Sequence, residues 1–353
     1  MAASPSRDYS AAVTADDALR DRTGVGFLEL AHIHDGLKDE ILGDIADLID
    51  ANAYSNGPAV AEFESAFAGY CGTAECVGLA SGLDALRLAL LAAGIERGDE
   101  VVIPANTFIA SVEAVSQAGG QPVLVDATET DWNIDVDAAA AAVNARTRFL
   151  LPVDLYGQLA DLRSLAELAR AHDVLVVEDA CQAHGATRDG IAAGNGGVAG
   201  AFSFYPGKNL GAMGDAGALV TNDPSLAHRL RVLREHGQSR KYHHEVEGYT
   251  SRLDTIQALV LLRKLPHLDG WNEERRAAAR LYSEGLSGVG DLCLPPVPEG
   301  SSPVWHVYVL RTARPHDLAA FLHDRGIGTG RHYPEPVHLS PAYAGLEIGR
   351  AHV

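Results

Sequence analysis

Six short runs of apolar, β-branched residues lie between residues 100 and 223: EVVIPA (100–105), QPVLVDA (121–127), RFLLPVD (148–154), DVLVVEDA (173–180), GAFSFY (200–205) and GALVTND (217–223). Helical patterns such as TFIASVEAVSQAG and DLRSLAELARAHD separate several of them; in the latter, Leu162, Leu165 and Leu168 keep one apolar stripe. Strands alternating with helices predict βαβ units and a mainly parallel sheet. The runs are apolar throughout, as strands buried on both faces must be. The sequence therefore predicts an α/β fold.

After Asp223 the strand signal fades. SRLDTIQALVLLRKLPHLDGWNEERRAAARLYSEGL reads as two helices broken near Pro266. VWHVYVLRT and HDLAAFLHDRGI then predict a strand and a helix of a smaller α+β unit. The expected organisation is a polar, disordered extension over 1–24, a large domain over 25–262 and a smaller, incomplete domain over 263–346. The last seven residues, Glu347–Val353, match the in-frame translation of a common short-read sequencing adapter (GAG ATC GGA AGA GCA CAC GTC). They are expected to be an assembly artefact, with the natural gene continuing.

A net charge of −19 argues against nucleic-acid or anionic-membrane partners. No apolar run is long enough to span a bilayer, and the N-terminus lacks a signal peptide's apolar core. Cys71, Cys76, Cys181 and Cys293 form no C-x-x-C pair, so a reducing, cytoplasmic setting is expected.

Ligands of an open parallel sheet bind at the carboxyl ends of its strands, and three segments sit at such ends. In VGLASGLDALRLALLAAG, Ser81 and Gly82 open a helix whose free N–H groups can receive an anion. Ser81 as a simple N-cap accounts for the same residues. In VLVVEDACQAHGA, Asp179 ends an apolar strand, where a carboxylate needs a partner. That partner is either a protonated pyridine nitrogen or the next turn's backbone. In AFSFYPGKNLGAMGDAGALVTND, Lys208 stands in a glycine-rich turn, suited to a Schiff base or to a plain surface hairpin. An anion cradle, a carboxylate and a Schiff-base lysine, in that order, are together what pyridoxal 5′-phosphate (PLP) requires.

The motifs SGLDAL, IPANTFIAS, EDACQAHGA, FSFYPGKNLGAMGDAGA, SRLDTIQ and HYPEPVHL resemble the DegT-type nucleotide-sugar aminotransferases, a family of fold type I PLP enzymes. The resemblance runs from GFLELAHIHDGLKDEI to GTGRHYPEPVHLSPAY. It implies that Lys208 is the Schiff-base lysine and proton shuttle, and that Asp179 partners the pyridine nitrogen. It places Gln182 near the cofactor's O3′ and Phe108 across its ring. It assigns the phosphate to Gly82, Leu83 and Ser203. Thr250 and Arg252 fall where a neighbouring subunit of a homodimer reaches into the site, and His332 and Tyr333 fall near the sugar.

Two positions depart from the family pattern. Leu83 replaces a usual Thr, and a hydroxyl lost from a charged group costs roughly 1.5–3 kcal/mol if it carried the binding. Thr250 stands where Asn is frequent. The activity implied is transfer of an amino group from L-glutamate to a nucleotide-linked keto sugar. NSRLD-like and LRxKL-like segments favour a dTDP-3-keto-6-deoxy sugar over a 4-keto sugar. A pyridoxamine-dependent sugar dehydratase would carry His at position 208, and a non-catalytic regulator would need a DNA-binding element. His243-His244 and His332…His338 lack spaced acidic or Cys partners, so no metal site is expected.

Overall fold

The computed structural model describes residues 24–34 and 36–346. The seven-residue tail and all of the expected N-terminal extension except Gly24 lie outside the described residues.

Seven strands form the central sheet: β1 (Glu75–Leu79), β2 (Glu100–Pro104), β3 (Gln121–Val125), β4 (Thr147–Leu150), β5 (Leu175–Asp179), β6 (Ala199–Ser203) and β7 (Gly217–Thr221). Their order is β1-β7-β6-β5-β4-β2-β3. The β2–β3, β2–β4, β4–β5 and β5–β6 pairs are parallel. Only β7 runs against its neighbours, β1 and β6. The expected α/β fold with a mainly parallel sheet is therefore observed.

The apolar runs are explained by what covers them. Alternate side chains of each strand enter two separate cores: Val102, Leu150 and Val176 on one face, Val101, Phe149 and Val177 on the other. Helices α1 (Pro58–Cys71), α4 (Leu162–His172) and α5 (Thr255–Lys264) pack on the first face. Helices α2 (Gly82–Ala92) and α3 (Ile109–Gln117) pack on the second. Phe63 and Phe67 of α1 meet Phe202 and Phe204 edge-on, with Phe67 centroids 5.0 and 5.1 Å from the latter two. That contact fixes the end of β6, from which the Lys208 turn departs.

Two sequence expectations are corrected. Strand β1 was not anticipated, because ECVGL is short and runs straight into the glycine turn before α2. VWHVYVLRT is not a strand. Its backbone bonds outward instead: Val304 N–H to the Gly157 carbonyl (2.8 Å), His306 N–H to the Tyr156 carbonyl (2.9 Å) and Arg311 to Cys293. Trp305 takes a left-handed φ of 48°, which interrupts any extended run.

The two predicted helices flank a 3₁₀ turn, Leu265–His267, that contains Pro266; the second is α6 (Leu268–Leu286). The predicted last helix is Pro315–His323. Just beyond it, Val25 pairs with Ile327 in a parallel bridge. No described helix is long and apolar enough to cross a membrane.

Candidate active site

Asp179 ends β5, and its position is set by backbone bonds on the neighbouring loop: its N–H reaches the Pro152 carbonyl (2.9 Å), and Asp154 N–H reaches its carbonyl (3.0 Å). The carboxylate is 5% exposed. Its Oδ1 accepts from Cys181 N–H (3.2 Å) and its Oδ2 from the Ser111 hydroxyl (2.7 Å). Two further carboxyls lie beside it, both fully buried. Glu178 accepts the N–H groups of Gly194 (2.6 Å) and Gly196 (2.8 Å), so it has the better claim to the negative charge. Burial and the neighbouring Glu178 push Asp154 well above the ordinary carboxylate range, which keeps it protonated.

The lysine turn is anchored on both sides. Phe204 and Leu210 are fully buried, and Lys208 N–H bonds the Tyr205 carbonyl (2.8 Å). Asn209 donates to Asn272 Oδ1 (2.9 Å) and to the Val304 carbonyl (2.8 Å), and Asn272 donates to the His184 carbonyl (2.8 Å). Lys264, 2% exposed, donates to the Gly211 carbonyl (2.6 Å), and burial lowers its amine to about 8. Lys208 is left with one task. Burial pushes its amine below the usual lysine range, opposed by Cys181 and Asp179. A partly neutral amine at this place is a nucleophile and a base.

The start of α2 closes the third side. Ser81 accepts from Asp84 N–H (3.1 Å), so it is the N-cap. The N–H groups of Gly82 and Leu83 have no carbonyl a turn earlier to bond. A Cβ on Gly82 would lie 2.6 Å from Ser203 Cβ and 2.8 Å from Cys181 Sγ. Glycine is thus what lets the helix start meet the end of β6. Leu83 contributes a backbone N–H here and no hydroxyl.

Further residues fill the rim. Phe108, the N-cap of α3, is 51% exposed, and its ring centroid lies 5.5 Å from that of Tyr333. Gln182 accepts from Tyr156 N–H (2.7 Å) and donates to the Tyr333 hydroxyl (3.0 Å). The Tyr156 hydroxyl donates to the His332 carbonyl (2.7 Å). Burial and the nearby Lys208 hold the half-buried His332 below its ordinary range. Thr250 and Arg252 bond elsewhere in this chain. Thr250 meets the His236 ring (3.1 Å), and Arg252 grips Glu235 with two nitrogens, each at 2.5 Å.

Residues 35–351 match the DegT/DnrJ/EryC1/StrS aminotransferase family. The chain belongs to that family. A dTDP-3-amino-3,4,6-trideoxy-alpha-D-glucose transaminase of Streptomyces venezuelae is 50% identical over 321 residues, covering 91% of this chain and 85% of the relative. The crystal structure of S. venezuelae DesV in complex with a ketimine intermediate aligns with a TM-score of 0.90 at 48% identity, over 94% of this chain and 88% of that one. NtdA of Bacillus subtilis, solved with bound PMP cofactor, aligns at 0.84 and 32% identity, over 93% and 78% of the two chains.

Several residues of this DegT/DnrJ/EryC1/StrS family member escaped the sequence reading. Phe27 is half-exposed, and its ring centroid lies 5.7 Å from that of His332. Its neighbour Leu28 lies against Gly207, beside the lysine. His306 meets Asn209 Oδ1 (3.3 Å) and, like His184, is held neutral by burial and by Lys208. Ser111 escaped it too, although it left a local trace: hydroxyls at 107 and 111, four residues apart around the start of α3.

His184 yields a pH prediction. It is fully buried against Phe202 and Phe204, and burial lowers its imidazole from the usual 6.5 to about 3. Between those values the unfolded chain binds a proton that the folded chain refuses. Stability then falls with falling pH by about 1.4 kcal/mol per unit for this one group. His184→Leu is expected to flatten the dependence of urea-unfolding stability between pH 6 and 4 by about one proton. An unchanged slope would show that His184 is protonated in the fold.

Proposed function

We propose that this chain is a PLP-dependent aminotransferase that moves an amino group from L-glutamate to keto carbon 3 of a dTDP-linked 6-deoxy sugar. The observation that carries the reading is a burial-depressed Lys208 amine within reach of the charge of a buried Asp179 carboxylate, beside a helix start that only glycine can close. These residues fit the cofactor's three demands. PLP bound there supplies an aldehyde for the Lys208 amine and a ring that draws off an electron pair. The N–H groups of Gly82 and Leu83 and the Ser203 hydroxyl hold its phosphate, so Leu83 costs little because the backbone does the holding. Asp179 holds the ring nitrogen's proton, Phe108 covers the ring, and Gln182 serves the phenolic oxygen. Lys208 would take the proton from the donor's Cα and deliver it to the carbon of the cofactor's former aldehyde, two atoms away. Keeping a lysine and not a histidine at position 208 is what separates this chain from a sugar dehydratase.

His332 and Tyr333 orient the sugar. Thr250 and Arg252, which bond His236 and Glu235 within this chain, serve the site of a second copy in a homodimer, a role taken from the family resemblance. Four free cysteines suit a cytoplasmic setting. The choice of carbon 3 and of dTDP follows the relative at 50% identity.

The test offers the enzyme dTDP-linked 3-keto and 4-keto 6-deoxyhexoses with L-glutamate and locates the new amine by NMR. Amination at carbon 3 is expected. Amination only at carbon 4 overturns the regiochemistry, and absence of any amine with either sugar overturns the substrate class.

A further inference from the structure

Asp179 is held from the side by two hydroxyls that the reaction described above leaves without a role. Ser111 Oγ lies 2.7 Å from Asp179 Oδ2, and Thr107 Oγ1 lies 2.8 Å from Ser111 Oγ. Both residues are nearly dry, at 1% and 3% exposure. Val112 and Val115 of the same helix pack into the core with no polar atom at all, and a buried hydroxyl is unfavourable unless it satisfies something.

The hydrogen count fixes the direction of the chain. An ionised carboxylate accepts only, so Ser111 spends its one O–H on Asp179. Thr107 must then be the donor to Ser111. Both hydroxyls point their hydrogens toward the carboxylate, and each bond strengthens the next in a low-dielectric site.

Other titratable groups lie near Asp179. Asp154 and Glu178 are within reach of its charge, Glu178 from the opposite face of β5, and Cys181 and the Tyr333 hydroxyl lie near. Lys208 is the one cation among them, and its own charge is disfavoured by burial.

We propose that Thr107 and Ser111 are positioning residues that hold the Asp179 carboxylate in one orientation for the ring nitrogen of the cofactor. This rests on the PLP reading above. The relay acts through Asp179 and touches neither substrate nor cofactor.

The experiment uses the PLP-loaded enzyme and three variants, Ser111→Ala, Ser111→Thr and Thr107→Val. Two readouts are taken: the pH midpoint of the cofactor's visible band, and the single-turnover rate with L-glutamate. Ser111→Ala is expected to slow the single turnover roughly tenfold, the effect of one lost hydrogen bond to a charged group. It also moves the midpoint up, because a ring nitrogen that keeps its proton less firmly withdraws less charge from the Lys208 nitrogen. Ser111→Thr restores both, and Thr107→Val moves both in the same direction by less. An unmoved midpoint in Ser111→Ala overturns the proposal, whatever the rate does, because a purely structural hydroxyl would slow turnover without it. Should Ser111→Ala not fold, Thr107→Val decides alone, and an unmoved midpoint there is equally fatal. A wild-type protein that shows no visible band with PLP would instead refute the cofactor reading itself.

Discussion

Lys208→Ala is expected to lose turnover by about 10⁴-fold or more, the upper range for removing a positioned acid–base group. The loss should come without unfolding. The turn that carries the lysine is held by Phe204, Leu210 and Asn209, none of which uses the lysine side chain. Burial disfavours the Lys208 ammonium, so at neutral pH its removal relieves a cost. The variant without cofactor should therefore melt no lower than the wild type. Two further readings separate chemistry from structure. Borohydride should no longer fix PLP to the chain, and small primary amines such as methylamine should restore part of the rate by entering the space the side chain leaves. Turnover above about 1% of wild type, in a preparation free of wild-type enzyme, would remove Lys208 from the mechanism.

The residues that the sequence revealed are those whose neighbours in the chain already define their surroundings. Asp179 stands one residue after the apolar run Val174–Val177, at the strand's end, so its burial could be read directly. Lys208 stands among glycines, which advertise a close approach of backbone. Strands β2 to β7 were visible because burial on both faces makes most of each run apolar and confines polar residues largely to the strand ends. Strand β1 was hidden because its five residues merge with the turn and helix that follow. VWHVYVLRT has the alternation of a strand, yet its partners are the backbone at 156–157 and Cys293, which no local pattern records. The same holds for the site's supports. Ser111 meets Asp179 across 68 residues, and Asn209 meets Asn272 across 63. Such pairs depend on how the strands are ordered in the sheet, and that order is set by packing between distant segments.

Asp179→Asn isolates charge from shape. The amide has nearly the same outline; its one carbonyl oxygen can keep the Cys181 N–H bond in the Oδ1 place, and the Ser111 hydroxyl can turn to accept from the NH2 in the Oδ2 place. What disappears is the negative charge that keeps a proton on the ring nitrogen. The single-turnover rate with L-glutamate is expected to fall on the order of 10³-fold, as when one preorganised electrostatic partner of a transition state is removed. KM for glutamate should change little, because the charge is needed only as electrons flow into the ring. Stability should move the other way. Asp154 is held protonated partly by the charge of Asp179, and burial raises both Asp154 and Glu178. Removing the charge of one of three neighbouring buried acids therefore eases the repulsion on the other two, and the cofactor-free variant should be at least as resistant to urea as the wild type near neutral pH. A folded Asp179→Asn enzyme whose single-turnover rate stays within about tenfold of wild type would mean that the ring nitrogen needs no carboxylate partner here. The Ser111–Thr107 relay would then have no carboxylate to serve.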